Sequence, residues 1–151
     1  MRQMGVSAGV AICLAVSCVV ALRGQGTAAG AASKVELAIL YRRYFESRDA
    51  QKLDLLVYWP GVAQRERDAF ERSVRQDLKF KLKNVAFASI GDTKALEYTL
   101  EGTTYRPTLT PVARLVATYE GTAEIKTAAT SYLVGVKRKR YFITLASPVP
   151  K

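Results

Sequence analysis

Downstream of residue 32, apolar residues first recur with the period of an α-helix. The stripe has i, i+3, i+4, i+7 and i+8 spacing and consists of Leu37, Leu40, Tyr41, Tyr44 and Phe45. Ser33 and Glu36 precede the stripe at capping-box spacing, in which side chains satisfy the free backbone N–H groups of the first turn. The pattern predicts a first helix that opens at Ser33 and ends at Ser47-Arg48-Asp49.

Two further helices are predicted before the pattern changes. Asp49 can cap a short second helix, which ends at Tyr58-Trp59-Pro60-Gly61 because proline disfavours helix before it. Its apolar face consists of Leu53, Leu56 and Val57. A third helix is predicted over residues 63–78 from Phe70, Val74 and Leu78, which lie four residues apart. Its other faces carry charged residues, among them Asp77. Helical spacing predicts that Tyr44 and Phe70 are buried in the core.

From residue 80 onwards, apolar and polar residues alternate, which is typical of half-exposed strands. Strands are predicted over residues 80–89, 96–101, 112–119, 122–126, 132–136 and 141–145. A phase shift at Asn84-Val85 indicates a bulge. Two prolines between residues 105 and 111 should interrupt pairing, and the proline-rich residues 147–151 should not continue a strand.

Three helices followed by an antiparallel meander predict the α+β class, with the N-terminal helices packed on one face of a curved antiparallel sheet. Lys137-Arg138-Lys139-Arg140 connects the last two strands and predicts a hairpin with a four-residue connection. We expect a domain over residues 33–146 and a proline-rich tail over residues 147–151.

The first 32 residues indicate export. An uncharged apolar run from Met4 to Leu22 lies between Arg2 and Arg23, and small residues follow it. This order is typical of a secretory signal with A-x-A-like cleavage sites at Thr27-Ala28-Ala29 or Ala29-Gly30-Ala31. The run is also close to the ~20 residues that span a bilayer, so an uncleaved membrane anchor over residues 4–22 stays open. Lipidation of Cys18 is a third alternative. All three predict a periplasmic or envelope location.

Composition excludes several chemistries. The 151-residue chain has no histidine, and both cysteines, Cys13 and Cys18, lie within the apolar run. The predicted domain therefore has no histidine for acid–base catalysis and no cysteine or histidine for a Cys/His metal site. The acidic candidates have simpler roles: Asp49 caps a helix, while Glu97 and Glu101 alternate with apolar strand residues and should point outward. We predict no catalytic residue, no metal site and no cofactor.

The chain resembles the NTF2-like superfamily, also called SnoaL-like or cystatin-like cone proteins, as an exported bacterial member. The likeness rests on the order of four stretches, residues 40–49, 53–59, 80–90 and 131–145. It implies a conical fold with an apolar pocket between the first helices and the concave sheet, and frequent homodimers. The chain departs from this pattern at its closing turn, where relatives often have Asp-Gly, and in lacking the pocket histidine that enzymes of the superfamily often have.

Two sets of residues are candidates for binding. Aromatic residues that would line a cone pocket are Tyr41, Tyr44, Trp59, Phe70, Tyr98 and Tyr132. Candidates for anion binding are Lys79, Lys81, Lys83, Lys137, Arg138, Lys139 and Arg140. The first three alternate with Phe80 and Leu82, so they should form a row on one strand face. The formal charge of +10 favours an anionic partner, and an exported domain rarely meets nucleic acid.

These features predict a non-enzymatic binding or assembly module of the cell envelope. It would dock a protein or an anionic envelope component through its sheet or its basic face. The alternative is a small-molecule-binding protein or an isomerase- or hydrolase-like enzyme that uses the apolar cone interior. An open pocket containing an ionisable group favours the enzyme, whereas a pocket filled by the domain's own aromatic residues favours the binding module.

Overall fold

The computed structural model describes residues 29–91, 96–121 and 127–149. The chain order is α1 (Lys34–Glu46), α2 (Ala50–Asp54), β1 (Val57–Tyr58), α3 (Gln64–Asp77), β2 (Leu82–Ala88), β3 (Tyr98–Leu100), β4 (Thr103–Pro107), β5 (Pro111–Glu120), β6 (Thr127–Lys137), β7 (Arg140–Thr144) and β8 (Ala146–Pro148). The α+β class predicted from the sequence is confirmed. The predicted segment over residues 4–22, both cysteines and the predicted strand over residues 122–126 lie outside the described residues.

Local side-chain chemistry sets where α1 and α2 begin. The Ser33 hydroxyl accepts a hydrogen bond of 3.0 Å from the Glu36 N–H, and the Glu36 carboxylate accepts from the Ala32 N–H. At α2, the Asp49 carboxylate accepts a hydrogen bond of 3.0 Å from the Lys52 N–H. Both predicted N-termini are thus confirmed, because each cap satisfies N–H groups that have no partner inside the helix.

The second helix is shorter than its apolar pattern predicted. It ends at Asp54, and Val57 and Tyr58 form β1 in parallel register with Ile143 and Thr144 of β7. The Ile143 N–H also donates to the Leu56 carbonyl over 2.8 Å. The prediction that Val57 extends the helical face is wrong because long-range strand pairing outweighs local periodicity.

The described strands form two sheets rather than one meander. The larger sheet has the order β1-β7-β6-β5-β2 and is antiparallel except at β1 and β7, while the smaller sheet has the order β3-β4-β8. Pairing of β4 with β8 contradicts the prediction that residues 105–107 and the tail would not pair. Pro148 is tolerated because β8 is an edge strand of the smaller sheet, and Pro107 lies at the end of β4.

The helices cover one face of the larger sheet. Along β5, Ala113, Leu115, Ala117 and Tyr119 are buried, whereas Val112 is 47% exposed. The register of β2 against β5 shifts between Leu82 and Asn84, close to the predicted bulge. The α+β domain therefore has its core on one side of the larger sheet and leaves residues such as Val112 on the other side in contact with water.

Candidate functional site

Aromatic residues that were predicted to line a pocket contact one another in the core. Tyr41, Tyr44, Phe70 and Tyr132 are buried, and Trp59 is half-buried. Ring centroids are 5.7 Å apart for Trp59 and Phe70, 5.7 Å for Phe70 and Tyr132, and 5.9 Å for Tyr132 and Tyr41. These rings fill the space between the helices and the sheet along this row.

Tyr98 lies apart from that row. It belongs to β3 of the smaller sheet, is 42% exposed, and stacks on Tyr105 with a centroid distance of 5.2 Å. Its hydroxyl donates a hydrogen bond of 3.0 Å to the Glu66 carboxylate. Desolvation, followed by that hydrogen bond, raises the pKa of Tyr98 to about 12. The structure therefore places Tyr98 on a contact between α3 and the smaller sheet.

Asp77 is an inward-facing acid that the sequence reasoning assigned to the charged faces of α3. Its Oδ2 atom accepts hydrogen bonds from the hydroxyls of Thr130 at 2.7 Å, Tyr119 at 3.1 Å and Tyr132 at 3.5 Å. The Tyr119 and Tyr41 hydroxyls are 3.3 Å apart. Asp77 lies three residues after Val74 on the apolar stripe, and that spacing is the sequence signal that could have found it.

The phenols around Asp77 are donors at neutral pH. Burial raises the pKa of Tyr41 and of Tyr132 above the ordinary tyrosine range, and it raises the pKa of Tyr119 to about 12. Neutral phenols can keep donating to the Asp77 carboxylate. The cluster therefore links α3 to the sheet through Oδ2 of Asp77, which accepts from three hydroxyls.

The basic connection predicted between the last two strands is a tighter turn than expected. Lys137 and Arg140 are paired in the β6–β7 ladder, so the connection is the two residues Arg138 and Lys139 rather than four. Their φ angles are 49° and 62°. Two successive positive φ angles in a two-residue hairpin loop are the signature of a type I′ turn.

This hairpin borders a cleft that combines cationic and aromatic side chains, here called the basic cleft. It has a volume of about 350 Å³ and is lined by Tyr58, Pro60, Lys137, Arg138, Arg140 and Phe142. The Tyr58 and Phe142 rings meet edge to face at 5.7 Å. The Arg140 guanidinium also donates to the carbonyls of Ala29 at 2.8 Å and Gly30 at 2.5 Å. The basic cleft thus brings three of the predicted anion-binding residues together, and Lys139 is exposed in the adjoining turn.

The other predicted basic residues do not form a row. Lys79 lies in the turn after α3, Lys81 precedes β2, and Lys83 lies at the register shift. The Lys81 ammonium is 2.9 Å from the Glu120 carboxylate, which supplies a neutralising acid. The prediction that these lysines share one strand face is wrong because β2 begins only at Leu82.

A larger groove lies between α1 and β2. Its volume is about 530 Å³, and Val35 and Ile39 on its α1 side are 69% and 52% exposed. Two arginines line this groove, Arg42 and Arg43. Arg42 forms an ion pair of 3.3 Å with Glu46, which also lines the groove. We therefore take the basic cleft, where three cations converge, as the candidate site.

No protein family, curated protein or solved structure matches this chain. In the described part of the chain, no helix is long and apolar enough to cross a membrane. Within those same residues, no group of three or more acidic, cysteine or histidine side chains is arranged to hold a metal ion.

Proposed function

We propose that this protein is an exported, non-enzymatic binding module of the cell envelope that attaches to anionic membrane surfaces through its basic cleft. The α+β class, with helices on one face of a mostly antiparallel sheet, supports the further proposal of an NTF2-like cone. The sequence pattern of the first 32 residues supports export.

The observation that carries the proposal is the choice of residues at the hairpin turn. A type I′ turn favours Asn-Gly, because both positions need a positive φ. This chain has Arg138 and Lys139 there, at φ angles of 49° and 62°. Left-handed backbone at non-glycine residues costs about 1–2 kcal/mol each, and such strain is concentrated at functional sites. Two cations kept at strained positions favour a role for their charge.

The side chains of the basic cleft suit phospholipid headgroups. Arginine and lysine donate charge-assisted hydrogen bonds to phosphate oxygens, and the Tyr58 ring is amphipathic, as are residues that lie at membrane interfaces. Near an anionic membrane each basic side chain contributes about 1 kcal/mol. Lys137, Arg138 and Lys139 together would therefore contribute about 3 kcal/mol, which is roughly a hundredfold in binding.

The state of the core supports the non-enzymatic part of the proposal. Aromatic rings fill the row from Trp59 to Tyr41, and three hydroxyls occupy Oδ2 of Asp77. The alternative, a small-molecule enzyme working in the cone interior, would need space for its substrate where these rings lie. The basic cleft needs no such space in the core because Lys137 and Arg138 are exposed.

Cosedimentation with vesicles tests the proposal. The domain over residues 29–151 is mixed with zwitterionic vesicles that either contain or lack an anionic phospholipid, at low and at high salt. Cooperative thermal unfolding of the same sample checks that the domain is folded. The variant K137Q/R138Q/K139Q is compared with K79Q/K81Q/K83Q, which removes the same number of charges elsewhere. We expect the hairpin variant to bind anionic vesicles roughly a hundredfold more weakly than the wild type, and the control variant to lose much less affinity. High salt should abolish the binding. Equal losses in the two variants, or equal binding to neutral vesicles, would refute it.

A further inference from the structure

The segment just upstream of α1 is built into the folded domain. Ala31 is fully buried and forms an antiparallel bridge with Tyr141, with its N–H donating over 2.9 Å and its carbonyl accepting over 2.7 Å. The Gly30 N–H donates to the Leu55 carbonyl over 2.9 Å. Three backbone hydrogen bonds therefore depend on Gly30 and Ala31.

Gly30 also fits a position that only glycine can occupy without rearrangement. Its φ is +75°, and a Cβ atom there would lie 2.5 Å from Cε1 of Phe142. The Arg140 side chain donates to the carbonyls of both Ala29 and Gly30. The close approach to Phe142 links this segment to the wall of the basic cleft.

From this packing we propose that the N-terminal segment is removed by cleavage between Ala29 and Gly30, at the site Thr27-Ala28-Ala29. The second small-residue site, Ala29-Gly30-Ala31, would not be used. The step is hydrolysis of the Ala29–Gly30 peptide bond by a signal peptidase. Water adds across the C–N bond to give a carboxylate on Ala29 and an α-amino group on Gly30.

The two cuts leave very different products. Cleavage after Ala31 would remove both residues of the segment, and Leu55 and Tyr141 would lose their backbone partners. Arg140 would lose both carbonyl acceptors, and the Phe142 ring would lose its cover. Cleavage after Ala29 removes the Ala29 carbonyl from Arg140 but keeps the bridge to Tyr141 and the carbonyl of Gly30. The contact between Ala32 and Glu36 survives either cut, so it does not distinguish them.

The inference uses the predicted secretory signal but does not require that the domain binds membranes.

The experiment is to express the full chain in a secreting bacterium and to measure the mass and N-terminal sequence of the exported protein. We expect the mature protein to begin at Gly30. Thr27→Lys alters the upstream site alone and should cause loss of most mature product, while Gln25→Lys, outside both sites, should be processed as the wild type is. The inference would be overturned if the mature protein began at Ala32 or at any residue other than Gly30, or if the chain kept its N-terminus. Normal processing of Thr27→Lys would also overturn it. A start at Gly30 without vesicle binding would overturn only the proposed function.

Discussion

Asp77 at the end of α3 and Thr130 in β6 are joined by a hydrogen bond of 2.7 Å that links the helical layer to the sheet. The same carboxylate oxygen also accepts from Tyr119 and Tyr132. One acid therefore satisfies hydroxyls from two neighbouring strands, β5 and β6.

Removing that acid should destabilise the domain strongly. In Asp77→Ala, the three hydroxyls lose a charged acceptor in a partly buried site. We expect the free energy of unfolding to fall by about 3 kcal/mol. Urea denaturation followed by circular dichroism measures this change. Glu71→Ala on the same helix is the control, because its exposed ion pair with Arg75 should contribute less than about 1 kcal/mol. Similar losses in both variants would contradict a structural role for Asp77.

The aromatic row predicts a sharp difference between two ring deletions. Phe70 is 4% exposed and contacts both Trp59 and Tyr132. Phe70→Ala should therefore lower the free energy of unfolding by about 3–5 kcal/mol. Tyr98 is 42% exposed in the smaller sheet, so Tyr98→Ala should cost only about 1 kcal/mol. Thermal unfolding of the two variants compares them, and an unchanged Tm for Phe70→Ala would show that the ring does not support the core.

Asp54 gives a prediction for the pH dependence of stability. Burial, followed by the neighbouring Glu71 carboxylate, raises the pKa of Asp54 above its usual 3.8. A raised folded-state pKa contributes stability below the unfolded value, and this stability is lost as the pH rises through the folded value. Asp54→Asn should therefore stabilise the domain at pH 7 by about 0.5 kcal/mol, a value discounted for solvent screening of this partly exposed group. It should have little effect near pH 3.

Asp49 serves as a control because its contribution to stability should depend on pH in the opposite direction. Hydrogen bonds to Lys52, on its side chain and backbone N–H, lower the pKa of Asp49 below 3.8. Its contribution to stability is present above the unfolded pKa and is lost as the pH falls through the folded pKa. Asp49→Asn should thus lower the Tm at neutral pH and have less effect in acid. Parallel shifts of the two variants across pH would contradict this assignment.

The hairpin turn should separate stability from binding. Replacing Arg138-Lys139 with Asn-Gly supplies residues suited to positive φ and should raise the free energy of unfolding by about 1 kcal/mol. The same change removes two cations beside the basic cleft and should weaken binding to anionic vesicles. Calorimetry and cosedimentation on one protein sample measure both effects. A less stable variant would show that this turn is not strained, and unchanged binding would exclude the turn from the docking surface.

Short-range signals predicted much of the helical layer and most of the strands. The starts of α1 and α2 followed from Ser33 and Asp49, whose side chains cap the adjacent N–H groups. Burial of Tyr44 and Phe70 followed from helical spacing and is confirmed. The edges of these elements were less predictable. Val57 continued an apolar helical pattern, yet its pairing with Ile143 depends on a strand far along the chain.

The candidate site was only partly visible in the sequence. The run from Lys137 to Arg140 identified the basic hairpin, but Tyr58 and Phe142 join it only through tertiary packing. Alternation around Phe80 predicted a lysine row that does not exist, because that part of the chain is a turn. Asp77 resembled one more charged residue on an exposed helix face. Its role depends on hydroxyls that come from β5 and β6.

The pairing of the chain just before α1 with β7 has a consequence for the timing of folding. Gly30 and Arg140, which hold this pairing together with Ala31 and Tyr141, are separated by 110 residues. A ribosome that adds about 5–20 residues per second needs roughly 5–20 s to make that length of chain. The first residues of the domain therefore wait for almost the last before their pairing can form. Throughout that interval the segment before α1 has no strand to pair with, so this part of the domain forms only when synthesis is almost complete.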